Sequence, residues 1–197
     1  MEMTGEQLVP ASQGDTWAAL NDPEVLKACV PGCESIERVS DSEYLVQMTA
    51  RIGPVAAKFK GKLALSDLDP PRSYSIAFEG QGGVVGFGKG SAQVRLAPDG
   101  EGTRLSYQVK ASVGGKLAQI GSRLVDAAAR KLADDFFTAF NETVASLHGA
   151  VAHAEHGEHL PEPVPRDPDL PDVAFGSLAF FAAGSLVVFV VALIALF

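Results

Sequence analysis

The stretch GGKLAQIGSRLVDAAARKLADDFFTAFNETVASL, residues 114–147, sets the architecture of the chain. Beyond Gly114-Gly115, the apolar residues Leu117, Ile120, Leu124, Ala128, Leu132, Phe136, Phe140, Val144 and Leu147 recur every three or four positions, while Arg123, Arg130, Lys131, Asp134 and Asp135 fall between them. That period puts one apolar stripe along a helix of about thirty residues, and the stripe must be laid on another apolar surface.

The preceding residues supply such a surface. From Glu34 to Val113 the period is two. Tyr44, Val46, Met48, Ala50 and Ile52 alternate with Leu45, Gln47, Thr49 and Arg51, and the pattern returns at Tyr74, Ile76 and Phe78, at Ala92, Val94 and Leu96, and at Leu105, Tyr107, Val109 and Ala111. Ser40-Asp41, Asp69-Pro70-Pro71 and Pro98-Asp99-Gly100 are turn signals that separate these runs at hairpin distances. The expected sheet is antiparallel with one apolar face. Before it, a short opening strand leads to Ser12 and Asp15, which cap a helical segment bearing Trp17 and Leu20, and Asp22-Pro23 opens a second turn bearing Leu26. The fold class is therefore α+β: two short helices and a curved antiparallel sheet wrapped on one long C-terminal helix, within a domain spanning residues 1–147.

Composition changes after Leu147. Residues 148–172 hold five prolines, six acidic residues and one basic residue without hydrophobic period, which reads as a disordered acidic linker. Residues 173–197 contain no Asp, Glu, Lys, Arg or His. A helix of that length rises roughly 37 Å at about 1.5 Å per residue, enough to cross a hydrocarbon core of roughly 30 Å, so a single C-terminal transmembrane helix is expected. Gly176, Ser177, Gly184 and Ser185 give it small-residue spacings suited to helix pairing or simply to lipid. The opening Met-Glu-Met-Thr-Gly-Glu has neither the basic nor the apolar region of a signal peptide. The expectation is a single-pass anchor in the cell inner membrane with the globular domain cytoplasmic.

The chain carries a net charge of −8, from 16 basic and 24 acidic residues. The linker holds most of that excess, leaving the domain only weakly acidic, with no electrostatic footprint for nucleic acid. All four histidines, His148, His153, His156 and His159, lie in the linker, where a solvated polar segment orders metal ligands poorly, so no metal is assigned. The two cysteines, Cys29 and Cys33, are too few for an iron–sulfur cluster and read as reduced structural residues.

The run WAALNDPEVLKACVPGCE at residues 17–34, Gly90 before the Ala92 strand, GGKLAQIGSR at 114–123 and DDFF at 134–137 resemble the G-subunit family of carbon monoxide dehydrogenase. That family belongs to the helix-grip, START-like superfamily, which also includes lipid-transfer and polyketide-cyclase domains. The resemblance implies a helix-grip ligand-binding domain in an accessory protein. Such a protein recruits a molybdenum-containing carbon monoxide dehydrogenase to the membrane and carries no molybdenum, iron–sulfur or flavin group itself.

A helix gripping a curved sheet commonly leaves an apolar cavity between them. Its expected lining is Met48, Phe59, Phe78, Phe87, Leu117, Ile120 and Leu124, each of which also reads as plain core. Strict alternation turns Phe87 outward unless a bulge redirects it. The segment GQGGVVGFGKG, residues 80–90, matches no phosphate-binding spacing and marks curvature or close approach at a cavity mouth. With membrane lipid and an electron-producing partner implied, the expected ligand is an isoprenoid quinone, menaquinone or ubiquinone, bound without covalent attachment. The alternatives are a pure recruitment adaptor and a lipid- or polyketide-type binding or cyclase domain. For the adaptor, Lys58, Lys60 and Lys62, with Arg51 nearby, alternate along a strand and form a basic stripe for a partner or membrane surface, or else a solvated face or a guarded edge. With no histidine before residue 148 and no paired carboxylates, no catalytic residue is assigned.

Overall fold

The computed structural model describes residues 1–52 and 55–154. The expected span at residues 173–197 and most of the acidic linker lie outside the described residues, and among those described no helix is long and apolar enough to cross a membrane.

Period-two patterning produces one seven-stranded antiparallel sheet. Its strands are β1 (Glu2–Val9), β2 (Cys33–Arg38), β3 (Glu43–Ile52), β4 (Val55–Asp69), β5 (Ser73–Gln81), β6 (Gly86–Asp99) and β7 (Gly102–Gly115). The order across the sheet is β1-β7-β6-β5-β4-β3-β2, so every neighbouring pair except β1 and β7 is a sequential hairpin. The alternation expected from sequence is kept: Tyr44, Val46, Met48, Leu63, Tyr74, Ile76, Phe78, Ala92, Val94, Leu96, Leu105 and Val109 are buried on the inner face. The two short helices are α1 (Gln13–Ala19) and α2 (Pro23–Cys29), capped as expected: Ser12 accepts from the Asp15 amide and Asp22 from the Glu24 amide. They bury Trp17 and Leu26, and Trp17 meets Tyr74 edge-on at 5.6 Å.

The closing element differs from its expected form. It is two helices, α3 (Lys116–Ile120) and α4 (Ser122–Ala154), separated by Gly121 at φ 98° and ψ 142°. That backbone conformation is open essentially to glycine alone, and it resets the helical phase. The inward stripe of α4 is consequently Val125, Ala129, Ala133, Phe136, Phe137, Phe140 and Val144, whereas Leu124 and Leu147 are about half exposed. Phe136 stacks on Phe140 at 5.5 Å and meets Phe137 edge-on at 5.1 Å, forming an aromatic ridge pressed on the sheet. Each such buried ring contributes about 1.5–3 kcal/mol. Helical backbone continues to Ala154, so residues 148–154, expected to start the linker, are helical.

Candidate functional site

One end of the domain gathers most of the residues expected to line a cavity. The β5–β6 connection there is a 3₁₀ turn at Gly83–Val85, flanked by Gly82 and by Gly86 at φ 134°, and α3 lies against the turn, β6, β7 and the start of α4. Gly86 and Gly115 cross so closely that a Cβ on Gly115 would stand 2.6 Å from Gly86 Cα. The glycine-rich segment thus serves close backbone approach, as its composition suggests.

Its glycines have a second role. Phe78 is paired with Gly90 across β5 and β6, and Phe87 with Gly114 across β6 and β7. A Cβ on Gly90 would lie 2.6 Å from Phe78 Cζ, and one on Gly114 would lie 2.5 Å from the Phe87 ring. Gly82 likewise lies under the Phe59 ring, and Gly5 under Tyr107, its register partner. Aromatic rings therefore lie on glycines throughout this sheet, each ring shielding a backbone that has no side chain of its own.

Among the expected cavity residues, Met48, Phe59, Phe78 and Leu117 are buried in one core cluster, and Ile120 is half-buried against it. Phe87 is not among them: the β6–β7 register runs without a bulge from Gly86 to Asp99, so alternation carries the ring to the outer face, 49% exposed over Gly114. Leu124 also leaves the set, turned to solvent by the phase reset at Gly121. The two grooves beside these residues open on the outer face of the sheet. One of about 760 Å³ has a floor of small residues, Ala64, Ala77 and Ser91, under a rim bearing Glu43, Lys62, Glu79, Lys89 and Lys110. A second, of about 470 Å³, runs past Leu45, Lys58, Lys60 and Gln81 to Gly83.

The expected basic stripe is a mixed-charge face. Lys58, Lys60, Lys62 and Arg51 are all exposed on the outer face, but β4 lies inside the sheet between β3 and β5, which excludes a guarded edge. Lys58 pairs with Glu34 at 2.9 Å, and Lys62 with Glu43 at 2.9 Å. The Lys58 and Thr49 hydrogen bonds hold the Glu34 carboxyl below the usual carboxylate range. Lys60 forms no ion pair among the described residues. Glu43 comes from the neighbouring strand β3 and Glu34 from β2, one strand further across the sheet, so only the tertiary fold reveals them.

Cys29 and Cys33 are free thiols. Cys29 is buried, with its sulfur 3.5 Å from Thr143 Oγ1 on α4. Burial pushes Cys33 up to about 11, against a smaller opposing pull from Lys27, which makes the thiol unreactive rather than nucleophilic. Among the described residues no group of three His, Cys, Asp or Glu side chains converges to hold a metal.

A conserved protein from Geobacillus kaustophilus has a similar solved structure, 31% identical with a TM-score of 0.70, over 74% of this chain and 96% of that one. Protein TTHA0849 from Thermus thermophilus (18% identity, TM-score 0.57, 75% of this chain and 99% of that) shares the fold. So does protein Ms6760 from Mycobacterium smegmatis (17%, 0.56, 75% and 92%). A search of curated proteins finds no match. With a seven-stranded sheet closed by a C-terminal helix in the helix-grip arrangement, and with residues 5–145 matching the family model, this chain belongs to CoxG, the G-subunit family of carbon monoxide dehydrogenase.

Proposed function

We propose that this chain is a non-catalytic accessory protein of a molybdenum-containing carbon monoxide dehydrogenase, anchored by residues 173–197 in the inner membrane. It brings the enzyme to the cytoplasmic face and holds an isoprenoid quinone that accepts the enzyme's electrons. Family membership supports the partner, and the uncharged C-terminal stretch supports the anchor. The observation that carries the ligand reading is the divided closing element. Gly121 uncouples the five-residue α3 from α4, so buried Leu117 and half-buried Ile120 sit in a short cover that rests on the glycine-rich turn, β6 and β7, beside the core cluster that holds Met48, Phe59 and Phe78. Moving that cover opens an apolar surface without breaking the main helix.

The energetics favour such a shelter. Each methylene moved from lipid into water costs about 0.8 kcal/mol, so several isoprene units in water cost tens of kcal/mol, and an apolar lining removes most of that penalty. The second reading is the pure adaptor, favoured by the packing of Met48, Phe59, Phe78 and Leu117 into one continuous core. Native mass spectrometry and solvent extraction of the full chain, purified from its own membranes, separate the two. A stoichiometric quinone is expected. A chain free of quinone that still brings the dehydrogenase to membranes refutes the carrier and leaves the adaptor.

A further inference from the structure

Three large apolar side chains face solvent at the glycine-rich end: Val84 in the 3₁₀ turn is 84% exposed, Phe87 at the start of β6 is 49% exposed, and Leu124 in the first turn of α4 is 49% exposed. Packing brings their elements together, since α3 touches the turn, β6 and α4, and the Phe87 ring covers Gly114, two residues before α3 begins. The other exposed large apolar residues are dispersed, with Leu8 on β1, Val39 after β2, Leu45 on β3, Leu68 on β4 and Leu147 more than twenty residues along α4 from Leu124. Scattered single residues are ordinary, whereas a cluster marks a surface that something apolar covers.

Charge identifies the occupant. Lys116 follows Gly115, Arg123 precedes Leu124, and Lys60 is paired with Gln81 at the end of β5 and lines the groove that reaches Gly83. All three cations are exposed, and none is in an ion pair among the described residues. Of the nearby carboxylates, Glu34 is held by Lys58, Asp126 is half-buried, and Glu79 stands between Lys62 and Lys89 in the strand register. Apolar tips ringed by unpaired cations fit the interface of an anionic bilayer, where acyl chains lie just beneath phosphates.

We propose that this end of the domain docks into an anionic bilayer surface, with Val84, Phe87 and Leu124 entering the acyl boundary and Lys60, Lys116 and Arg123 meeting phosphate headgroups. The proposal deepens the membrane reading above and rests on it: docking aims the α3 cover at the lipid from which an apolar ligand would come.

The test reads depth, because an anchored chain stays at the membrane whichever way its domain points. Full-length Val84→Trp and Leu8→Trp variants are reconstituted in phosphatidylcholine vesicles with and without phosphatidylglycerol, and tryptophan quenching by brominated lipids is measured. Native Trp17 is buried and gives a constant background, and Leu8, 59% exposed on β1, serves as the position remote from the docking end. The expected result is quenching and a blue shift at position 84 only, dependent on phosphatidylglycerol, and lost when Lys60, Lys116 and Arg123 are replaced together by Glu. No quenching at position 84, equal quenching at position 8, or indifference to phosphatidylglycerol overturns the proposal. Quinone extracted from the same samples separates the two ideas: quinone without quenching refutes docking alone, and quenching without quinone refutes the carrier alone.

Discussion

Replacing Gly90 by alanine tests whether the aromatic-on-glycine arrangement shapes the sheet. The new Cβ would stand 2.6 Å from Phe78 Cζ and 2.9 Å from Ala111 Cα, and closer still to the Lys110 carbonyl oxygen. A ring can tilt, but Lys110 and Ala111 belong to the β7 ladder, with Ala111 the register partner of Gly90, so relief requires prising β6 from β7. Overpacking of this kind costs about 1–3 kcal/mol, and displacing a buried ring such as Phe78 moves the cost to the top of that range. The lower chain entropy of alanine in the unfolded state offsets about 0.4–1 kcal/mol. The expected net loss is about 2–3 kcal/mol, or a Tm lower by roughly 5–10 °C in a domain of this size. Urea unfolding of the detergent-solubilised full chain, followed by circular dichroism and Trp17 emission, measures it. Adding Phe78→Leu should restore only part of the loss, because the Lys110 carbonyl remains in place. A Gly90→Ala variant within about 0.5 kcal/mol of the parent, or complete recovery in the double variant, would show the reasoning to be wrong; typical surface substitutions fall in that range.

Other outcomes follow from the same geometry. Gly121→Ala should cost about 1–3 kcal/mol although nothing lies within 4 Å of its Cβ position, because φ 98° itself is the obstacle. The same urea assay measures it. Cys33 should resist iodoacetamide near neutral pH and react about tenfold faster per pH unit up to about pH 11, as followed by peptide mass spectrometry. Because the native thiol ionises later than the unfolded one, its contribution to stability is intact below the unfolded value and is lost as pH rises toward about 11. Lys58→Met should raise the Glu34 pKa toward the ordinary carboxylate value, with Thr49 retaining part of the shift, as read by carboxyl NMR titration.

The sheet was legible from sequence because alternation, hairpin turns and helix caps are local signals that agree with one another. Ser12, Asp22 and the Pro98-Asp99-Gly100 turn do in the fold what their chemistry suggests. The C-terminal stripe was harder. Reading Leu117, Ile120 and Leu124 as one series assumes helix through Gly121, and there the phase restarts. Afterwards Ala129 and Ala133 face inward, and their small side chains carry little hydrophobic signal against Leu124 beside them. Phe87 shows another limit. Alternation alone gave its direction, but its pairing with Gly114 needs the β6–β7 register, a relation between residues far apart in sequence. The same holds for the lysines, whose partners Glu34 and Glu43 come from β2 and β3.

The strand order also bears on how the chain is made. Strands β2 to β7 can zip one after another as they leave the ribosome, each closing a short loop on the strand before it. β1 is synthesised before them yet pairs with β7, so it waits while about a hundred residues are added, and closing a loop of that length costs roughly 4 kcal/mol of chain entropy. Its docking is consolidated by the helix that closes the domain, through the Asn141 amide of α4, which donates to the Leu8 carbonyl. The domain's opening strand and closing helix therefore lock together late in its synthesis. A chain cut short between β7 and α4 would carry a complete sheet whose inner face keeps Trp17 of α1 over Tyr74 but has lost the α4 ridge, making it the fragment of this protein most prone to aggregate.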